Sequence, residues 1–231
     1  MTLEALRAEV LEANLSLVRH GLVVGTFGNA SGIDRDLGLV AIKPSGVDYN
    51  ALQAGDLVIT DLDGRVVEGE LRPSSDLATH LALYKAFPGI GGVAHTHSRH
   101  ATAWAQARRE IPCFGTTHAD YFRGAIPVTA DMQDEEIATD YEKNTGLCIA
   151  RRFAQIDPMT MPAVLVAGHA PFTWGGSPAD ASHNAFVLEE IAHLAFMTIS
   201  IDSRANSITD SLRDKHFLRK HGSTAYYGQP K

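Results

Sequence analysis

The sequence predicts an α/β sandwich in which a central sheet is covered by helices on both sides. Short apolar runs typical of buried strands alternate with longer segments of helical periodicity along the whole chain. The chain has 231 residues, of which 45% are hydrophobic and 20% charged, and this composition is ordinary for a globular protein with a sizeable core. No internal repeat, low-complexity tract or linker interrupts it, so we expect a single domain over residues 1–231.

The amino-terminal segment predicts an amphipathic helix. Apolar residues recur at helical spacing from Leu3 to Leu17, Thr2 is suited to cap the helix, and Gly21 is suited to end it. Charged residues interrupt the same segment, so we do not expect a secretory signal peptide. No stretch of the chain approaches the apolar length of a membrane span, and we expect a soluble protein.

Strands surround one helix in the next part of the chain. The dipeptide Asp63-Gly64 is typical of a hairpin turn between two strands. Leu77, Leu81 and Tyr84 share one helical face, which predicts a helix after the hairpin. The predicted elements, in order, are strands over 37–43 and 56–70, a helix over 74–87 and a strand over 90–94.

Helices dominate the second half of the chain. Ser177 precedes a proline, and Asp180 stands at the capping-box position, so a long helix is expected to begin there. Gly222 is suited to end the last helix. The predicted elements are a helix over 98–108, a strand over 162–172, a long helix over 177–199 and a last helix over about 207–221.

Charge and cysteine content exclude several classes of function. The formal net charge of −7 argues against a nucleic-acid binder or an anionic-membrane binder, because either would need a basic face. Cys113 and Cys148 are far apart and form neither a disulfide framework nor a cysteine zinc site. We therefore expect a reducing, cytoplasmic setting.

Histidines at predicted strand ends indicate a metal site. His95 and His97 follow an apolar run two residues apart, and on a strand residues i and i+2 point to the same face. His169 follows another apolar run, and Asp76 opens the preceding helix as a possible fourth ligand. Each histidine alone also fits an ordinary polar position. Three imidazoles with an open position are typical of a catalytic zinc site, although manganese and cobalt suit the same ligands.

Three loops rich in serine and glycine could bind an anion. Their small residues allow backbone N–H groups to approach a ligand closely, and Ser74 and Ser75 precede a predicted helix, where the helix dipole favours negative charge. Lys43 adds a positive charge. Taken singly, each loop is more typical of a plain turn or a helix cap than of an anion site, and no nucleotide-binding motif is present. The loops are 28–32, 43–49 and 72–76.

Seven segments together resemble the class II aldolase/epimerase family, and the similarity extends over nearly the whole chain. The segments read GTFGNASGID, IKPSGVDY, RPSSDLATH, AHTHSRHATAWAQA, GTTHADYF, HAPFTWG and DKHFLRKHGSTAYYGQ. The resemblance implies that the central sheet is mostly antiparallel, and that the protein is a four-fold symmetric homotetramer with active sites at subunit interfaces.

The resemblance also implies roles for individual residues. The implied ligands of a divalent metal, usually zinc, are Asp76, His95, His97 and His169. The implied contacts to the phosphate of a phosphorylated ketopentose substrate are Gly28, Asn29, Ser45, Gly46, Ser74 and Ser75, with Lys43 nearby. The implied acid/base residues are Asp120 and Tyr227, which without the resemblance would count as a loop carboxylate and a tail tyrosine.

The implied reaction is metal-dependent inversion of C4 of L-ribulose 5-phosphate, giving D-xylulose 5-phosphate by cleavage and re-formation of the C3–C4 bond. One alternative is an aldolase of the fuculose-1-phosphate type, in which a glutamate usually stands at the position of Asp76. Another is a non-catalytic binding protein of the same fold, as in adducin, but such proteins lose the metal histidines. Arabinose breakdown and ascorbate or xylulose breakdown both remain open as the pathway.

Overall fold

Seven strands form one antiparallel sheet across residues 2–228, the part of the chain that the computed structural model describes. The spatial order is β4-β3-β2-β1-β5-β7-β6, and every neighbouring pair is antiparallel. This arrangement confirms the predicted fold class. The strands are β1 (Asn29–Asp34), β2 (Leu39–Ile42), β3 (Val58–Asp61), β4 (Val66–Glu68), β5 (Gly92–His95), β6 (Ala163–Leu165) and β7 (Pro171–Gly175).

Helices pack around this sheet, and two of the predicted caps form. The Thr2 side chain accepts a hydrogen bond from the backbone of Ala5, and the Ser177 side chain accepts one from Asp180. A short 3₁₀ helix covers Ala54–Asp56. The α-helices are α1 (Leu3–Arg19), α2 (Leu77–Ala86), α3 (Arg99–Gln106), α4 (Thr116–Ala119), α5 (Asp134–Ala138), α6 (Tyr141–Arg152), α7 (Pro178–Ile201) and α8 (Asp210–His221).

Both faces of the sheet are buried, as alternation along β2 shows. Val40 and Ile42 belong to the large hydrophobic cluster that also contains residues of α2, α3 and α7. Ala41 points the opposite way and packs with Leu6 and Val10 of α1. Successive side chains of a strand point to opposite faces, so an apolar residue at every position requires helices on both sides.

Strand β1 corrects the prediction that residues 28–32 form a loop. Its small residues serve the packing of the sheet, because a Cβ on Gly32 would lie 2.6 Å from Cγ of Pro178 and 2.9 Å from Cγ2 of Val10. Helices α1 and α7 therefore approach the strand more closely than a larger residue would allow. Sequence patterns do not distinguish this use of glycine from a turn.

The predicted strand over 162–172 is two strands joined by a tight turn. Val166 accepts a hydrogen bond from His169 and donates one to Ala170, and Gly168 has a φ of +69°, a left-handed conformation that suits glycine. The hairpin escaped prediction because its turn is itself largely apolar, with Ala167 and Ala170 beside the glycine.

Helix α6 is not predicted by the sequence pattern. Its apolar periodicity is weak, because Ile149 is the one large apolar residue among its buried residues, and the others are Thr145, Gly146 and Cys148. The helix packs closely on α2, and a Cβ on Gly146 would lie 2.6 Å from Cβ of Ala82. Close backbone packing therefore holds α6 in place without a wide apolar stripe.

Helix α7 is, by length and composition, able to cross a membrane. It has 24 residues with a mean hydropathy of 1.3 over its most apolar window, contrary to the expectation that no segment approaches a membrane span. A core helix can pass the same test, and one face of α7 is buried from Ala181 to Ala195 against α1, α3, β5 and β7. Its opposite face exposes apolar side chains near the carboxyl end, namely Leu194, Phe196, Met197 and Ile201.

A buried histidine on α4 makes stability depend on pH. His118 Nε2 lies 2.7 Å from the Gly124 carbonyl oxygen, to which it donates, and burial lowers the His118 pKa from 6.5 to about 4. The folded protein thus keeps His118 neutral in a pH range where the unfolded chain protonates it. The contribution of His118 to the free energy of unfolding is therefore fully present above pH 6.5 and is lost progressively as the pH falls toward 4.

We expect His118→Gln, which retains an N–H donor but does not titrate, to reduce this pH dependence. Between about pH 7 and pH 5 the free energy of unfolding of the wild type should fall by about 2 kcal/mol more than that of the variant. Urea unfolding at both pH values and one protomer concentration measures the difference. Equal pH dependence in the two proteins would contradict the prediction.

Candidate metal centre

Three histidines converge at one end of the sheet. His95 ends β5, His97 follows two residues later, and His169 lies in the turn between β6 and β7. One nitrogen from each ring lies within 4.8 Å of the others, and among the described residues these three make up the cluster able to hold a metal ion. The convergence predicted from spacing is present. His169 reaches it from a turn, however, and not from a strand end as expected.

Hydrogen bonding fixes which nitrogen His95 presents to the centre. Nδ1 lies 2.9 Å from the carbonyl oxygen of Pro171, and a carbonyl only accepts, so Nδ1 carries the proton. Nε2 is therefore unprotonated and free to ligate. The ring also stacks on Phe172, with centroids 4.1 Å apart. A hydrogen bond from the second ring nitrogen to a carbonyl, as His95 makes to Pro171, is typical of metal-bound histidines.

The histidines are neutral and the nearby carboxylate is charged. Burial lowers the pKa of His95, His97 and His169, so each imidazole has an available lone pair at neutral pH. Burial by itself raises the pKa of Asp76, but the histidines and a hydrogen bond from Asn29 outweigh it and bring the pKa below its usual value. Neutral imidazoles beside an ionised carboxylate suit a divalent cation.

Asp76 lies at the amino-terminal cap of α2 and lines the same cavity as the histidines. One of its oxygens, Oδ2, accepts a hydrogen bond of 2.6 Å from the Asn29 side chain. The carboxylate is not within the 4.8 Å cluster formed by the three rings. Its role as a fourth ligand therefore stays a prediction.

A cavity of about 390 Å³ opens over the histidines. All seven residues predicted to contact substrate line it, together with all four predicted metal ligands. The tertiary structure thus brings together the start of β1, two serine-containing loops, the start of α2 and the three histidines. The predicted substrate contacts on its wall are Gly28, Asn29, Lys43, Ser45, Gly46, Ser74 and Ser75.

Two of the serine-rich loops are held together by their backbones. Ser45 donates to the carbonyl of Arg72 at 2.9 Å, and Ser74 donates to the carbonyl of Lys43 at 3.0 Å. Gly46 has a φ of +70°, and a Cβ at this position would have nothing within 4 Å of it, so its backbone faces open space. This part of the cavity offers exposed backbone and hydroxyl groups in one place, which suits an anion.

Lys43 supplies a buried positive charge to the same wall. Its ammonium lies 4.6 Å from the centre of the Tyr49 ring and donates to the Pro44 carbonyl at 3.3 Å. Burial lowers the pKa of Lys43, and no carboxylate forms an ion pair with it among residues 2–228. An anionic ligand would therefore find a cation here that is not already neutralised.

The two predicted acid/base residues lie outside this cavity within one chain. Asp120 ends α4, and its carboxylate accepts hydrogen bonds from Arg219 at 2.7 and 3.0 Å and from His216 at 3.0 Å. Tyr227 lies in the tail beyond α8, with 60% of its surface exposed and its ring 4.9 Å from the Arg219 guanidinium carbon. Both residues contact Arg219, so the structure brings them to one region, apart from the histidines.

Several cavity residues were not predicted from the sequence. Tyr141 and Glu142 open helix α6 and line the cavity, and the Tyr141 hydroxyl lies 3.4 Å from Nδ1 of His169. Because α6 itself was missed, no pattern pointed to its first residues. The other unpredicted lining residues are Thr26, Phe27 and Pro44.

Comparison with protein families and curated proteins gives a consistent result. The model of the class II aldolase and adducin N-terminal domain matches residues 8–196. The protein named L-ribulose-5-phosphate 4-epimerase UlaF from Salmonella paratyphi B is 53% identical over 227 residues, which cover 98% of this chain and 100% of that protein. The protein of the same name from Salmonella typhi has the same identity and coverage, 53% over 227 residues.

Solved structures show the same fold. An L-fuculose 1-phosphate aldolase superposes with a TM-score of 0.80 at 24% identity, covering 94% of this chain and 96% of that one. The L-fuculose-1-phosphate aldolase from Thermus thermophilus superposes with a TM-score of 0.68 at 24% identity, covering 88% and 98%. At these identities the comparison concerns the fold alone.

Proposed function

The chain belongs to the class II aldolase and adducin N-terminal domain family, and from that premise we propose that it inverts C4 of L-ribulose 5-phosphate to give D-xylulose 5-phosphate. The observation that carries the proposal is the 53% identity, over 98% of the chain, to proteins named for this epimerase. The histidine cluster and the anion-suited loops in one cavity are the groups that such a reaction requires.

Class II aldolases are metal-dependent, and the donor set of this chain fits a divalent cation. We propose zinc, held by His95, His97, His169 and Asp76. When bound, the cation supplies Lewis-acid stabilisation of the negative charge that develops on the substrate oxygens as the C3–C4 bond breaks. That bond must break because the hydrogen on C4 is not adjacent to the carbonyl and is not acidic.

The serine-containing loops would hold the substrate phosphate while the two-carbon aldehyde released by C3–C4 cleavage rotates. Backbone and hydroxyl groups of Ser45, Gly46 and Ser75, with the charge of Lys43, would bind the phosphate oxygens. After cleavage the two-carbon aldehyde remains anchored by this phosphate, rotates, and presents its other face to C3. Re-addition on that face gives the inverted centre.

Two proton transfers are needed, one for the C4 oxygen on each face. The C4 hydroxyl loses its proton as the bond breaks, and the new C4 alkoxide gains one as the bond re-forms. Asp120 would accept or donate on one face and Tyr227 on the other. Burial raises the pKa of Asp120, but Arg219, His216 and Lys220 together bring it below the usual value, so this residue is a carboxylate at neutral pH.

We propose that the protein is a homotetramer, because Asp120 and Tyr227 lie apart from the cavity of their own chain. A neighbouring subunit would bring them to it. The exposed apolar face of α7 supports an assembly as well, since contiguous apolar surface on a soluble enzyme commonly marks an interface.

We further propose that residues 1–231 act as one catalytic domain in the cytoplasm.

The second candidate is an aldolase that releases the aldehyde, the reaction named for L-fuculose 1-phosphate aldolase, which shares the fold of this chain. The shorter Asp76, where such aldolases usually carry glutamate, favours the epimerase. With L-ribulose 5-phosphate the epimerase should release no free glycolaldehyde phosphate as D-xylulose 5-phosphate forms. Accumulation of the free aldehyde would instead favour the aldolase.

Isotopic substitution tests the proposed chemistry. We expect ¹³C at C3 or C4 of L-ribulose 5-phosphate to slow turnover, because both atoms take part in the bond that breaks. Deuterium at C4 should remain in the product, since no step removes that hydrogen. Loss of the deuterium to solvent, or a requirement for a nicotinamide cofactor, would exclude cleavage of the C3–C4 bond.

A further inference from the structure

A line of buried polar side chains runs from the cavity into the core between α2 and β1. Asp76, His80 and Tyr84 are four residues apart and share one face of the helix, and Asn29 and Ser31 are two apart and share one face of the strand. We call these five residues the polar seam. Its contacts are Asn29 to Asp76 at 2.6 Å, Ser31 to His80 at 2.7 Å and Ser31 to Tyr84 at 2.8 Å.

The protons in the seam can be ordered in one direction. The Tyr84 hydroxyl lies 2.8 Å from the Ser31 oxygen, and among the described residues this oxygen is the acceptor within its reach, so the Tyr84 proton goes to Ser31. The Ser31 hydroxyl then donates its single proton to Nδ1 of His80. If Nδ1 of His80 instead donated to Ser31, either the Tyr84 proton or the Ser31 proton would have no acceptor among the described residues. His80 therefore carries its proton on Nε2.

That Nε2–H is buried and has no hydrogen-bond partner among residues 2–228. A buried donor without a partner is costly, and native proteins rarely retain one unless something uses it. Helical side chains lean toward the amino terminus of their helix, which brings the His80 ring toward Asp76, one turn earlier. His80 also lowers the pKa of Asp76, second among the histidines only to His95.

We propose that His80 is a positioning residue for the metal centre: when a cation is bound, its Nε2–H, which has no partner among the residues that this structure describes, donates to the Asp76 carboxylate and holds it toward the cation, and Ser31 and Tyr84 maintain the tautomer that makes this possible. Asn29 provides the other donor to the same carboxylate. The proposal rests on the metal site of the proposed function, and it adds a residue that contacts neither substrate nor metal. Replacing a residue that donates a hydrogen bond to a metal ligand typically weakens metal binding about 10- to 100-fold.

The first test needs no variant. Neutron diffraction from deuterium-exchanged wild-type crystals locates the exchangeable deuterons of the His80 ring. We expect a deuteron on Nε2 and none on Nδ1. A deuteron on Nδ1 alone would overturn the proposal, because Nε2 would then have nothing to donate.

The second test compares two replacements of similar size. Gln at position 80 retains an amide N–H near the place of Nε2, whereas Leu fills the volume without a donor. We expect His80→Leu to weaken zinc binding to the metal-stripped protein by about 10- to 100-fold and His80→Gln to stay within about threefold of the wild type, measured by chelator competition. Thermal unfolding of both metal-free variants reports the loss of the Ser31 contact, which the two share.

If His80 has only a structural role, both replacements should change stability and the two variants should bind zinc with the same affinity. That result would overturn the proposal. Failure of the metal site itself gives a different pattern. In that case the wild type would show no zinc binding that His97→Asn abolishes, whatever occupies position 80. The deuteron measurement stays informative in both cases, because it depends on neither metal nor activity.

Discussion

Replacing His97 with asparagine should remove the divalent cation and catalytic turnover together, while the protein remains folded. The His97 ring lies close to the other two rings of the cluster, with centroid distances of 4.9 Å to His95 and 5.1 Å to His169. Loss of one of three imidazoles should lower turnover by more than about 100-fold, since removal of even an outer partner typically costs about 10- to 100-fold. Elemental analysis of the purified protein and the epimerase assay measure the two effects.

The matched control is His100→Asn, the same substitution three residues later. His100 pairs with Glu189 of α7 at 2.8 Å and does not line the cavity. This variant should keep its metal. Full activity of metal-stripped wild-type enzyme would refute the metal-dependent mechanism, and retention of both metal and activity in His97→Asn would remove His97 from the ligand set.

Two inactive variants should restore activity to one another if the active site is shared between subunits. His97→Asn lacks a metal ligand and Asp120→Asn lacks a proton-transfer group, and each should be inactive alone. After unfolding and refolding in equal amounts, a site with an intact metal half and an intact Asp120 forms with a probability of about one half times one half. Roughly a quarter of wild-type activity should therefore return.

A second mixture checks the same geometry with the two substitutions on one chain. Wild type refolded with an equal amount of the double variant should give about a quarter of wild-type activity if sites are shared, and about a half if each site belongs to one chain. The two mixtures therefore test independently whether Asp120 acts in the metal site of a neighbouring subunit. No activity beyond the sum of the parts in the first mixture, with one half in the second, would place Asp120 in its own subunit's site.

Much of the fold follows from local patterns, and these patterns predicted it correctly. The cap at Thr2, the cap at Ser177 and the hairpin between β3 and β4 each depend on a few neighbouring residues. Alternating apolar segments were enough to predict a sheet covered on both sides. Helix α6 and strand β1 were missed because their small residues, Gly146 and Gly32, matter through close contact with distant elements.

The chemistry of the site was likewise present in the sequence as residue types. The spacing of His95 and His97, and a third histidine after an apolar run, indicate the three ligands from the sequence alone. Resemblance to a family then added Asp120 and Tyr227, for which no local pattern exists.

Only the tertiary structure decided how these groups meet. It placed His169 on a turn, brought the loops at Ser45 and Ser74 together through backbone hydrogen bonds, and opened the cavity beside Tyr141 and Glu142. It also placed the Ser31 hydroxyl between His80 and Tyr84, at 2.7 and 2.8 Å. Local sequence determines helices, strands and turns because their forces act over a few residues, whereas contacts between residues 29, 76, 95 and 169 arise only when the chain closes on itself.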